Sequence, residues 1–203
     1  MDDINSSLCT HIIYSFVVLD PVTHLIKSQD PWLDQAPTEN FRKFTSLKKL
    51  HPDVKFLVAL GGWLDSSIPK YSVLLANSTK ISKFVAHAVT FLQKYEFDGL
   101  DVDYEYPAWD GHGHDAPDTD RKGFTDLIKQ LSDAFKPLGL QLTAAVPANK
   151  DVMDEGYEVA EISKHLDAIH LMSYDMHSSW DNHVFHHAPL FGEERDPKTV
   201  HKR

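Results

Sequence analysis

Apolar residues recur along the chain in two alternating periods. Residues 10–18 (THIIYSFVV) form a short β-branched and aromatic run, whose length and composition favour a strand. Thr38 is placed to cap a helix carrying Phe41, Phe44, Leu47 and Leu50, ended by Pro52. Residues 54–60 (VKFLVAL) are nearly continuously apolar and stop at Gly61-Gly62, the pattern of a strand buried on both faces. Thr79 is placed to cap a second helix, on which Ile81, Phe84, Val85, Ala88, Val89 and Leu92 share one face. Residues 97–105 predict a third strand. A third helix carries Phe124, Leu127, Ile128, Leu131 and Phe135, a fourth strand spans 140–146, a short helix holds Val159, Ile162 and Leu166, and a fifth strand spans 168–174.

The order is β-α-β-α-β-α-β-α-β, with strand starts about 40 residues apart. Such alternation predicts right-handed βαβ units and a parallel sheet in one α/β domain over 1–203. Pattern alone does not separate an open doubly wound sheet from a barrel. Residues 106–119 read as a polar, Gly/Pro-rich loop after the third strand, and the tail from His177 is irregular and His-rich.

Composition adds bounds. Of 203 residues, 42% are hydrophobic and 11% aromatic, enough for a core. A net charge of -10 argues against a nucleic-acid or anionic-membrane surface, where Lys and Arg would dominate. No apolar run approaches the roughly 18 residues of a membrane span. The acidic N-terminal stretch does not read as a signal peptide. Cys9 is the one cysteine, so no disulfide can form within the chain. Asn5 and Asn77 stand in glycosylation acceptor patterns, which matter only if the chain is secreted.

The chemistry concentrates in the third strand. Side chains alternate along a strand, so Asp101, Asp103 and Glu105 point one way while Leu100, Val102 and Tyr104 point towards covering helices. Carboxylates on one face lie about 6–7 Å apart and oppose each other's ionisation. Burial adds to that, so at least one member is expected to hold its proton near neutrality and serve as a general acid. Glu105 is the best placed, because strand C-termini face the substrate in parallel α/β folds. Spacing alone leaves open a divalent cation site or a solvated acidic edge. His112, His114, His183, His186 and His187 match no zinc spacing and read as loop residues; no metal or cofactor is expected.

Asp98, Asp101, Asp103 and Glu105 match all four acidic positions of the DxxDxDxE motif, and the chain thereby resembles glycoside hydrolase family 18, in particular chitinases of the arthropod type. KFLVALGGW at 55–63 is similar to the family strand ending in Gly-Gly-Trp, CTHIIYSF at 9–16 to its second strand and MSYDMH at 172–177 to its sixth. The resemblance implies a (β/α)8 TIM barrel, here incomplete, with about five of eight strands and without the first and the last two. It implies hydrolysis of β-1,4-linked N-acetylglucosamine polymers by a retaining, substrate-assisted route, with chitin or chito-oligosaccharides as the partner, no membrane, a monomer and an extracellular location. Glu105 would be the acid and then the base. Asp103 would hold the acetamido group, Asp101 would tune Asp103, and Tyr174 and Asp175, with Met172, would complete that pocket. Tyr14, Phe16, Gly62, Trp63 and Tyr106 would meet the sugars, with a core role for Tyr14 and Phe16 equally open. The half-cystine for Cys9 would lie upstream. The alternatives are a chitin-binding lectin on the same fold, which typically lacks the acid, or an inactive fragment.

Overall fold

A computed structural model describes residues 4–5, 8–111, 113, 116–179 and 181–191. One six-stranded sheet runs through it: β1 (His11–Leu19), β2 (Ile26–Ser28), β3 (Lys55–Gly61), β4 (Gly99–Asp103), β5 (Gln141–Pro147) and β6 (Ala168–Met172). The spatial order is β2-β1-β3-β4-β5-β6. Five strands are parallel and correspond to the five expected; β2 is a short antiparallel addition on β1. Three residues are too few to show a period, so β2 was not legible in the sequence.

Cross-strand register sorts the side chains. Val58, Leu100 and Leu142 lie side by side, and the next such row is Leu60, Val102 and Ala144. All six belong to the hydrophobic core that the helices cover. The intervening row, Ala59–Asp101–Thr143, faces away from those helices, and Gly61 lies opposite Asp103. The acids therefore face small neighbours, which leaves room for a ligand.

The helices are α1 (Pro31–Asp34), α2 (Asn40–Ser46), α3 (Lys70–Leu75), α4 (Ser78–Tyr95), α5 (Thr119–Phe135), α6 (Lys150–Gly156) and α7 (Val159–Ile162). α1, α3 and α6 were not expected. The helix expected from Thr38 to Leu50 is shorter, α2 followed by a 3-10 turn at Leu47–Lys49. α4 is capped by Asn77 rather than Thr79: the Asn77 side chain accepts from the Lys80 backbone N–H at 3.0 Å. α4 and α5 bury Phe84, Ala88, Leu92, Phe124, Ile128 and Leu131 against the sheet. Among the described residues, no helix is long and apolar enough to cross a membrane. Cys9 is exposed.

β4 ends two residues earlier than expected, at Asp103. The Glu105 N–H is taken by the Ser66 hydroxyl at 3.0 Å rather than by a neighbouring strand, so the chain has left the ladder there. The Ser15–Phe16 and Glu105–Tyr106 peptides are cis.

Candidate active site

All five residues of β4 are buried, Asp101 and Asp103 among them at 5% and 6% exposure. Their burial follows from position: β4 is central, with β3 and β5 hydrogen-bonded on either side. Asp101 is partly compensated. The Thr143 hydroxyl, its cross-strand neighbour, donates to Oδ1 at 2.5 Å, and His170 Nε2 on β6 stands 4.0 Å from the same oxygen. Burial raises the Asp101 pKa above the usual carboxylate range, while Thr143 and His170 act against the rise.

Asp103 has less help. Its Oδ1 has no hydrogen-bond partner among the described residues. Burial, then the negative charges of Glu105 and Asp101, push its carboxyl from 3.8 up to about 7. Glu105 is half-buried; burial raises its pKa, the nearby Asp175 raises it further, and a hydrogen bond from the Tyr106 hydroxyl opposes both. Both carboxyls are thus biased towards their protonated forms, through causes that the strand position supplies.

Two glycines set the β3 end of the site. The Gly62 N–H donates to the Asp103 carbonyl at 2.8 Å. Gly61 has φ of +120° and passes so close to that carbonyl that a Cβ would overlap it. The following loop is tied down by Asp65, whose carboxylate accepts from the Leu19 N–H at 3.1 Å, the Tyr71 hydroxyl at 2.7 Å and the Lys70 ammonium. The Tyr71 ring stacks on Tyr104 at 4.6 Å, between Asp103 and Glu105 in sequence. Tyr157 is buried behind and donates to the Tyr104 carbonyl at 3.3 Å.

At the β6 end, Met172 is buried, and Tyr174 lies beyond the strand with 49% of its surface exposed. Burial and the charges of Asp103, Glu105 and Asp175 raise the Tyr174 phenol pKa, so these four groups share one electrostatic environment. His187 stacks on Tyr174 at 6.2 Å and places Nε2 3.3 Å from Asp175 Oδ1. His187, expected only as a loop residue, therefore stands beside two of the candidate site residues.

The remaining sequence candidates divide. Phe16 lies under Gly62 and, with Trp63 and Leu64, lines a cavity of about 350 Å³ at the β3 end. Tyr14 stands on the other face of β1, edge-on to Phe41 and Phe44, with its hydroxyl donating to Asp34 at 2.5 Å. A core role accounts for Tyr14, and the change of face follows a register shift between Ser15 and Val17. Trp109, not among the expected site residues, packs against Tyr106 at 5.4 Å and Trp63 at 6.2 Å. His112 and His114 lie outside the described residues. Among the described residues, no cluster of three His, Cys, Asp or Glu side chains is arranged to hold a metal.

Thr143 and His170 had a signal. Each is a polar residue inside an apolar strand, and each turns up beside Asp101. Asp65, Ser66 and His187 had none, because their partners lie far along the chain and nothing local marks them.

A half-built parallel barrel with a row of acids at the end of a central strand is the architecture of a family of glycosidases. The family model for Glycosyl hydrolases family 18 matches residues 1–203, and the chain belongs to that family. It is 41% identical over 203 residues to the Probable chitinase 2 of Drosophila melanogaster, covering 98% of this chain and 41% of that protein. It is 42% identical over 204 residues to the Endochitinase of Manduca sexta, covering 100% of this chain and 36% of that protein. Among solved structures, a mutant of catalytic domain 2 of the Ostrinia furnacalis Group II chitinase, in complex with penta-N-acetylchitooctaose (NAG)5, superposes with a TM-score of 0.92. Identity there is 47%, over 98% of this chain and 51% of that one. The chain thus spans about two fifths of these curated relatives and half of this solved domain.

Proposed function

We propose that this site hydrolyses β-1,4-linked N-acetylglucosamine chains with retention of configuration, using the substrate's acetamido group as nucleophile. The observation that carries the reading is the acid row itself: two buried or half-buried carboxyls, Asp103 and Glu105, both biased towards protonation at the mouth of a parallel sheet.

A protonated Glu105 donates to the glycosidic oxygen as the bond to C1 breaks. No second carboxylate is needed as nucleophile, since family 18 is among the substrate-assisted exceptions to the two-carboxylate scheme. The acetamido carbonyl oxygen attacks C1 instead, giving an oxazolinium ion. Asp103, with one oxygen unclaimed among the described residues, accepts the acetamido N–H on that oxygen and so fixes the group against C1. Asp101 sits behind it as the repelling neighbour that holds the Asp103 proton back from leaving. Tyr174 donates to the acetamido oxygen and orients it. Glu105, now a carboxylate, takes a proton from the water that opens the ring, which restores the acid.

Glu105→Gln keeps the shape and removes the proton donor. On chito-oligosaccharides it is expected to lower kcat by about 10²–10⁴, or roughly 3–5 kcal/mol of barrier, with KM little changed. Normal turnover by that variant would refute the assignment. Binding of the unaltered protein to chitin beads with no release of product would favour a lectin.

A further inference from the structure

We infer that Asp120 is a positioning residue for Glu105: through the Tyr104 hydroxyl it fixes the chain between the two site carboxyls, and with it the direction in which the acid presents its proton. This rests on Glu105 being the acid of the proposed reaction, and it gives a role to a buried carboxyl that the mechanism does not use.

Asp120 lies in the first turn of α5 and is 1% exposed. Its Oδ2 accepts from two hydroxyls, that of Ser72 on α3 and that of Tyr104 at 3.2 Å. The two hydroxyls stand 3.4 Å apart, and both residues are buried. Two helices and the end of the acid strand therefore meet at one carboxylate oxygen. One turn further along, Gly123 of α5 lies against Leu75 of α3. A Cβ there would stand 2.8 Å from the Leu75 Cβ and 3.0 Å from its carbonyl oxygen. Ser72 and Leu75 are three residues apart, as are Asp120 and Gly123, so each pair shares a helix face. The close approach of the helices thus sets the Ser72–Asp120 pair as well.

Tyr104 stands between Asp103 and Glu105 in the chain, and its ring belongs to the core on the helix side of the sheet. β4 has ended by then, with the Glu105 N–H given to Ser66, so the ladder no longer holds this segment. Tyr104 is held instead from three sides. Tyr71 stacks on its ring, the Tyr157 hydroxyl donates to its carbonyl at 3.3 Å, and its own hydroxyl donates to Asp120. Stability alone accounts poorly for this, because well-packed apolar side chains would fill the space without burying a carboxyl. A directional bond supplies a single orientation, which apolar packing does not. The action is geometric: the charges that raise the two site carboxyls are those of Asp101, Glu105 and Asp175.

The test is steady-state hydrolysis of a fluorogenic chito-oligosaccharide across pH, with the thermal midpoint of each variant measured alongside. Tyr104→Phe keeps the ring and removes the hydroxyl. It is expected to lower kcat about tenfold, with KM and both limbs of the pH profile unmoved. Asp120→Asn should do the same, and the pair together should lose little more than the larger single loss, because they act through one bond. Gly123→Ala pushes α5 off α3 while favouring the helix, and should lower kcat several-fold. In a Glu105→Gln background Tyr104→Phe should cost nothing further, since the group it positions is gone. If kcat stayed within about twofold of the parent in both Tyr104→Phe and Asp120→Asn, the positioning role would be refuted while a dead Glu105→Gln kept the acid assignment standing. Additive losses, shifted pH limbs or rates that recover on cooling would refute it too, as marks of separate, electrostatic or merely structural effects. Should Asp120→Asn fail to fold, Tyr104→Phe and Gly123→Ala decide. Turnover retained by Glu105→Gln, or absent from the parent, would bring down the functional reading and the positioning role together.

Discussion

The β4 end and the β6 end supply the two halves of the candidate site, and they are built differently. The β4 end lies in the middle of the sheet. Its acids are buried, and each has a cross-strand neighbour fixed by register: Ala59 and Thr143 for Asp101, Gly61 for Asp103. The β6 end lies at the edge of the sheet among the described residues. Ile169 and Leu171 there are 41% and 58% exposed, and Tyr174 is held by a stacked histidine from the following loop. Protonation is controlled where burial is deep, and orientation is left to lighter contacts where it is not.

The sharpest way to break the contrast is at its most crowded point. Gly61→Ala places a Cβ against the Asp103 carbonyl at a φ of +120°. Strain and overpacking together are expected to cost about 3 kcal/mol or more, read as a lower urea midpoint at unchanged slope. A cost below about 1 kcal/mol would mean that β3 and β4 are free to part, and the central end would lose its claim to rigidity.

Asp103→Asn tests what the burial costs. In the folded chain Asp103 keeps its proton to about pH 7, whereas the unfolded chain releases it near 3.8. The protonated form favours folding; that contribution is complete below about 3.8, fades as pH rises and is gone above about 7. Asparagine does not titrate. Its stability relative to the parent should therefore improve by about 2–3 kcal/mol between pH 5 and pH 8, at about 1.36 kcal/mol per pH unit over the part of that range below pH 7. Hydrolytic activity should fall at every pH. A pH-independent difference in urea stability would show that Asp103 ionises normally.

Much of this contrast can be traced back to the sequence. Period and composition placed the five parallel strands, because long buried runs such as VKFLVAL are too apolar to be anything but core. The acid row was legible for the same reason: charges set among Leu100 and Val102 must be buried or functional. What escaped was set by contacts between distant positions. The end of β4 moved because Ser66, 39 residues earlier, captures the Glu105 N–H. The face of Phe16 relative to Tyr14 depended on a register shift between Ser15 and Val17 that no local pattern announces. The histidine at 187 could be assigned a place only once the chain had folded back on Tyr174.

The smallest effect is expected at that histidine, and it sharpens the contrast most directly. The His187–Asp175 pair spans 3.3 Å with both side chains more than half exposed. Exposed pairs of this kind contribute about 0–1 kcal/mol, and the ring contact with Tyr174 adds little at 6.2 Å. His187→Ala should leave global stability within about 0.5 kcal/mol of the parent, since nothing in the core depends on it. Its effect should appear locally, as averaging of the Tyr174 ring resonances in NMR and a weakened near-ultraviolet dichroism signal. If His187→Ala instead cost more than about 1.5 kcal/mol, the edge would be anchored as firmly as the centre, and the division between a buried, protonation-setting end and a lightly held, orienting end would not stand.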